Sequence, residues 1–242
     1  MRLSTRLQQR HREPEIMDQP GLDEGRHHQA LEGIARINWV SASSLILWPP
    51  IRALCRRRLA AGDSRPVRVL DVATGGGDVP IRMWRRARRQ GLPLEVAGCD
   101  CNPIAVDHAQ RRAVEHRAKA DFFPLDVLTD TLPGGYDVIT CSLFLHHLEE
   151  DQAVILLQKM LDAAGRLALV NDLLRSPAGW LLAYVGTRLL TRSAMVHTDG
   201  LISVEAAFTM SEATELARRA GWEGATIHWR WPFRFLLQWS RP

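Results

Sequence analysis

The chain has 242 residues, 46% of them hydrophobic and 24% charged, which suits one globular domain with a buried core and excludes a disordered tail. Thirty-one Lys and Arg against 27 Asp and Glu leave a formal charge of +4, which admits a basic surface facing nucleic acid or anionic lipid. The four cysteines, Cys55, Cys99, Cys101 and Cys141, show no C-x-x-C spacing, so neither a zinc site nor a thioredoxin-like pair is indicated and no oxidising compartment is required.

Residues 1–20 are charged and carry Pro14 and Pro20, the pattern of a frayed, flexible arm without the apolar core of a secretory signal. N-terminal helices are expected within 21–62, over roughly 22–38 and 42–60; Ser41, Ser43 and Ser44 are possible caps of the second, and Pro49 and Pro50 are expected to break or kink it. From Val67 the rhythm changes. Strand-like runs at 67–72, 94–99, 136–141 and 166–171 alternate with helical patterns near 79–90, 103–117, 150–163 and 210–220, the signature of βαβ units and a parallel sheet. Cys99 and Cys101 flank Asp100 on one strand face and read as small buried thiols. Thr209 and Glu212 have capping-box spacing, and Gly221 ends the helix they start. Residues 225–239 read as two strands around Trp231-Pro232, a closing antiparallel hairpin. The most apolar run, Trp180 to Leu190, is too short to span a bilayer and contains Arg188, so a soluble cytoplasmic protein is expected.

The chemistry concentrates at VLDVATGGGD, residues 69–78. A buried strand runs into a glycine turn that opens a helix, letting a ligand approach the backbone at the helix N-terminus. Asp78 is the expected cap of that helix, with Pro80 in its first turn. At the end of the next strand, Asp100 is placed to accept hydrogen bonds from a ribose diol. A dinucleotide site needs G-x-G-x-x-G, and counting from Gly75 the third glycine is replaced by Pro80, which disfavours NAD. Asp71, four residues before Gly75, suits a cofactor with a cationic amino-acid end better than a pyrophosphate, which favours S-adenosylmethionine.

With these residues in view, the chain resembles the class I S-adenosylmethionine-dependent methyltransferases, strongly over 67–171. Four stations match in order: 69–78, Asp100, Leu125-Asp126-Val127, and Tyr136-Asp137-Val138-Ile139 leading to Ser142-Leu143-Phe144-Leu145-His146-His147-Leu148. The D-x-A-x-G-x-G-D form is similar to that of the ubiquinone/menaquinone-type and small-molecule phenol methyltransferases, with Ala73 standing where a first glycine is usual. The resemblance implies a Rossmann-like α/β domain over 63–242: a seven-stranded, mostly parallel sheet with a C-terminal antiparallel hairpin, helices on both faces and a helical lid inserted at about 173–208, with the N-terminal helices of 21–62 forming part of the substrate cap. It implies that Asp71, Ala73, Thr74 and Gly75 to Gly77 surround the methionine moiety and that Asp100, with Cys101, lies at the ribose. Asp126 and Val127 would meet the adenine, and backbone near Ser142 the ammonium.

Methyl transfer to a phenol, whose pKa is about 10, benefits from a positioned base. His146 and His147 follow the fourth expected strand, and one of them is the expected base; Asp172, after the fifth, could orient or assist it. The lid opens at Ser176-Pro177 and is rich in Trp, Leu and Tyr, which fits an apolar aromatic substrate, with His197 a further polar lid candidate. That apolar stretch, with Arg188 and Arg192, could instead touch a membrane surface and collect a lipid-tailed phenol. No metal is required. O-methylation of a phenol, polyketide-derived aromatic or quinone precursor is the leading expectation; C-methylation of a quinone ring precursor, RNA or protein methylation and noncatalytic cofactor binding are the alternatives. Ser142-Leu143-Phe144-Leu145 stands where amino-group methyltransferases often carry [DNSH]-P-P-[FYW], which counts against RNA or protein methylation. Charge distribution sharpens the choice. Residues 81–90 hold five arginines and no acid, whereas 121–162 holds eight acids and one lysine around the expected site, which disfavours a nucleic-acid partner.

Overall fold

Alternating apolar residues decide how the sheet is covered. In β1 (Val67–Val72), Val67 and Val69 point to one face while Leu70 and Val72 point to the other, and all four are fully buried. The computed structural model describes residues 7–13, 43–191 and 193–241, so the expected helix at 22–38, Ser41, Pro14, Pro20 and Arg192 lie outside the described residues. After α1 (Ser43–Ala60) and β1, the chain runs through α2 (Asp78–Arg89), β2 (Leu94–Asp100), α3 (Pro103–Glu115), β3 (Ala120–Pro124) and β4 (Tyr136–Ser142). It continues through α4 (Glu150–Ala163), β5 (Ala164–Leu173), α5 (Pro177–Leu190), α6 (Ala194–Ala206), α7 (Met210–Arg219), β6 (Thr226–Arg230) and β7 (Arg234–Ser240).

The seven strands lie in the order β3-β2-β1-β4-β5-β7-β6. The first five are mutually parallel, and β7 runs antiparallel to both β5 and β6. Strand order reverses between β1 and β4, and the carboxyl ends of these two strands flank the crevice where open α/β sheets bind ligands. One sheet face is covered by α4 and α7 through Leu156, Leu157, Met160 and Leu216. The other is covered by α1 and α2 through Ile46, Leu47, Ile51, Val79 and Met83. Each fully buried Leu or Ile in these layers contributes about 1.5–3 kcal/mol from removal of apolar surface from water.

Several local expectations change. α1 passes through Pro49 and Pro50 without ending; the lost backbone donors are offset by burial of Ile46, Leu47, Trp48 and Ile51 on the sheet, none more than 5% exposed. Because α1 packs on the core with α2, residues 43–60 form a sheet-covering helix where part of a substrate cap is expected. Gly77, at φ +71°, is the N-cap of α2, and Asp78 is instead its first helical residue, where its charge still complements the helix dipole. β3 is a strand without a counterpart in the expected set, a half-exposed edge paired to β2. Residues 7–13 are packed against the domain, not frayed: Leu7 is buried, and the His11 amide donates to the Glu205 carbonyl at 3.1 Å. The capping box of Thr209 and Glu212 forms, as does the Ser176 cap of α5.

The candidate active site

The glycine turn after β1 is built from residues with different duties. A Cβ on Gly77 would stand 2.7 Å from Phe122 Cζ and 2.8 Å from Ala109 Cβ, so Gly77 is required by close packing of the turn on α3 and β3. A Cβ on Gly76 would lie 3.1 Å from His108, whereas one on Gly75 (φ +53°) would meet nothing within 4 Å. Gly75 therefore borders open space, the place for a ligand to approach the backbone. Ala73 is held at φ +50°, which explains why glycine is usual there and puts a strain of about 1–2 kcal/mol at the mouth of the crevice. Asp71 is buried beneath the turn and accepts hydrogen bonds from Thr74 Oγ1 at 2.8 Å and Thr140 Oγ1 at 2.6 Å. Burial, outweighing these hydroxyls, pushes its pKa up to about 7.

Asp100 ties the two βα corners together. Its Oδ2 accepts from the Gly75 amide at 2.8 Å and its Oδ1 from the Asn102 amide at 3.0 Å. Cys101 is exposed, because β2 ends at Asp100 and the chain turns there, so it does not share the buried face of Cys99. Asp126 sits in a turn, its Oδ1 accepting from the Leu128 amide at 2.9 Å, and Val127 is buried in the core. Ser142, at the end of β4, accepts from Asn171 Nδ2 at 2.9 Å, and the next residue, Leu143, adopts φ +58° while its amide donates to the Asn171 carbonyl at 2.9 Å.

Beyond Leu143, a single 3-10 turn over Leu145–His147 carries both histidines. His146 Nδ1 lies 2.6 Å from Asp172 Oδ1 on β5, and the His146 amide donates to Asp172 Oδ2 at 3.2 Å. Both side chains are at most 4% exposed. Burial works to raise the Asp172 pKa, but His146 and the Leu173 amide overcome it and hold the carboxyl below its ordinary value. The His147 ring stands 4.3 Å from that of His146 and is stacked 5.9 Å from Phe144. His197 Nε2 donates to the Thr191 carbonyl, 2.8 Å away, at the start of α6. Two arginines here escaped the sequence reading. Arg234, at the site end of β7, is buried, and desolvation lowers its pKa to about 10 against the opposing pull of Asp172 and Asp78. Arg10 reaches the histidine turn from the N-terminal segment.

Among the described residues no group of three or more His, Cys, Asp or Glu could hold a metal ion. The crevice does fit S-adenosylmethionine: open space at Gly75 lets a ligand meet the backbone, and Asp100 stands beside it at the end of β2.

A family model described as a methyltransferase domain matches residues 69–164. The ubiquinone biosynthesis O-methyltransferase of Bordetella parapertussis is 30% identical over 181 residues, 72% of this chain and 71% of the relative. In fold, the chain is similar to an O-methyltransferase family 2 protein from Planctomyces limnophilus in complex with apigenin, with a TM-score of 0.65 at 16% identity over 93% of this chain and 63% of that one. It is also similar to the magnesium protoporphyrin IX methyltransferase of Synechocystis PCC 6803 with bound SAH, with a TM-score of 0.54 at 17% identity over 82% and 84%. The chain belongs to the class I S-adenosylmethionine-dependent methyltransferases. It is an enzyme whose cofactor is S-adenosylmethionine.

Proposed function

We propose that the enzyme methylates a hydroxyl oxygen of a small aromatic acceptor, a phenol, polyketide-derived aromatic or quinone precursor, with His146 as general base. The observation that carries this reading is the buried 2.6 Å contact between His146 Nδ1 and Asp172. A carboxylate on Nδ1 holds the proton there and leaves Nε2 as the atom that accepts one. As the phenol oxygen attacks, its proton passes to Nε2, and Asp172 stabilises the imidazolium that results. His147, stacked on Phe144, shapes the acceptor wall. The ubiquinone-biosynthesis name of the Bordetella relative supports the quinone-precursor class.

When bound, S-adenosylmethionine supplies a methyl group on a sulfonium centre. The residues expected to hold it are Asp71, Ala73, Thr74 and Gly75 to Gly77 at the methionine end, Asp100 and Cys101 at the ribose, Asp126 and Val127 at the adenine, and Ser142 at the ammonium. In the structure Asp71 acts on the turn from behind, through Thr74 and Thr140. The chain's own contribution is orientation and exclusion of water, which can lower such a barrier by several kcal/mol.

The test is turnover of a panel of phenols and catechols by the wild type, His146→Ala, His147→Ala, the double variant and Asp172→Asn, with and without EDTA. Loss of kcat in His146→Ala by about 10²-fold or more, with affinity for S-adenosylhomocysteine unchanged and EDTA without effect, supports the base reading. Near-normal rates in both single histidine variants and the double would exclude it.

A further inference from the structure

We propose that Arg10 is a positioning residue for the histidine turn, so that the N-terminal segment 7–13 is part of the catalytic apparatus. The inference rests on the reading of His146 as the base and concerns what holds that base in place. A three-residue 3-10 turn has little orientation of its own: within it the His147 amide donates to the Phe144 carbonyl at 3.0 Å and the Leu148 amide to Leu145 at 3.2 Å. The carbonyls of residues 146, 147 and 148 are left to the surroundings, and two arginines from more than 130 residues away take all three. Arg10 Nη2 donates to the His146 carbonyl at 2.9 Å and to the Leu148 carbonyl at 2.6 Å, and Arg12 Nη1 donates to His147 at 3.1 Å.

Arg10 is itself fixed. Its Nε donates to the Ala206 carbonyl at the end of α6 at 2.6 Å, and its guanidinium carbon lies 3.9 Å over the Phe208 ring. Leu7 anchors the segment in the same place: it is buried, and Arg175 Nε donates to its carbonyl at 3.1 Å. The planar fork of one guanidinium thus joins α6 to both ends of the His146–Leu148 stretch, a geometry that lysine cannot reproduce. Asp172 grips His146 through its ring and amide from the β5 side, and Arg10 grips its carbonyl from the opposite chain terminus. Together they fix the imidazole between two rigid supports.

The experiment compares Arg10→Met, Arg10→Lys, His146→Gln and the Arg10→Met/His146→Gln double variant, all in the full chain, by steady-state kinetics, calorimetry with S-adenosylhomocysteine and the low-field proton resonance of the Nδ1–H hydrogen bond. Misplacing a catalytic group by about 1 Å lowers rate by ~10²-fold, so Arg10→Met is expected to lower kcat by about 10- to 100-fold with cofactor affinity and acceptor KM within about threefold. The low-field resonance is expected to broaden or move, Arg10→Lys to recover part of kcat, and the double variant to be no slower than His146→Gln alone. An unchanged kcat in Arg10→Met, or a double variant as slow as the product of the two single losses, overturns the inference. Should Arg10→Met fail to fold, Arg10→Lys decides: wild-type kcat with an unmoved resonance overturns the inference, and a reduced kcat with a shifted resonance upholds it. Full activity in His146→Gln would instead overturn the base reading, a result independent of how Arg10→Met behaves.

Discussion

His146 and Asp172 meet through two contacts at once, the ring Nδ1 at 2.6 Å and the backbone amide at 3.2 Å, so the carboxylate fixes both the imidazole and the turn that carries it. Asp172→Asn preserves shape and removes the charge. It is expected to lower kcat by about 10²-fold or more with little change in cofactor affinity, as read by steady-state kinetics and calorimetry. Because the folded pKa of Asp172 is depressed, its contribution to stability is present above the ordinary value of about 3.9 and lost as pH falls through the lower folded value. Acid titration of urea midpoints should therefore show a shallower loss below about pH 4 in Asp172→Asn than in the wild type.

Asp71 gives the opposite sign. Its pKa is raised to about 7, so the stabilisation of its neutral form is complete below about 3.9 and disappears as pH rises through 7. The wild type is expected to lose ~2–4 kcal/mol through this one group between pH 4 and 8, at about 1.4 kcal/mol per unit. In Asp71→Asn that slope should be absent, which chemical denaturation at the two pH values measures directly; an identical slope in both proteins would count against the buried carboxyl as its source.

The three glycines of the turn separate packing from ligand space. Gly77→Ala drives a Cβ into Phe122 and Ala109 at 2.7 and 2.8 Å with φ at +71°, and is expected to destabilise the fold by more than ~2 kcal/mol. Gly75→Ala meets no atom within 4 Å, so only the backbone strain of about 1 kcal/mol is expected in stability, while affinity for S-adenosylhomocysteine should fall by 10-fold or more. Thermal denaturation and calorimetry on the two variants distinguish the roles.

Asp100→Asn replaces an acceptor of two backbone amides, from Gly75 and Asn102, with a weaker and uncharged one. Hydrogen bonds to a charged group contribute about 1.5–3 kcal/mol, so a 10- to 100-fold loss of cofactor affinity is expected, with kcat at saturating cofactor changed much less. Equal affinity in the variant and the wild type would remove Asp100 from the cofactor site.

The sheet was readable in the sequence because its central strands are mostly buried on both faces: Val67–Val72 and Tyr136–Ser142 are short, β-branched-rich runs, interrupted only by Arg68, Asp71 and Asp137, that lead into turns. β3 was not, since Ala120–Pro124 is a half-exposed edge of five residues ending in proline, with too little apolar pattern to announce a strand. Asp100 and the histidine pair were marked by their positions after strands. The partner of His146 was visible only as a possibility, because nothing in the order of residues says that Asp172 meets one ring and not the other. Arg10 was invisible for a different reason. It satisfies backbone carbonyls more than 130 residues away, and backbone carbonyls leave no trace in side-chain sequence.

Helix α5 is held by few buried contacts. Only Gly179 and Thr187 of its residues are buried, while Leu181, Leu182, Val185 and Leu189 are 41–80% exposed. It is tied to α6 through the close passage of Gly200 against Thr187 and the hydrogen bond from Trp180 to Glu205 at 2.9 Å. Local opening follows buried contact, so in native-state hydrogen exchange the α5 amides are expected to exchange well before those of β1, β4 and β5. On the proposed lid role of α5, acceptor entry needs only a small local opening, while the sheet that carries Asp100 and Asp172 keeps the protection of the whole fold.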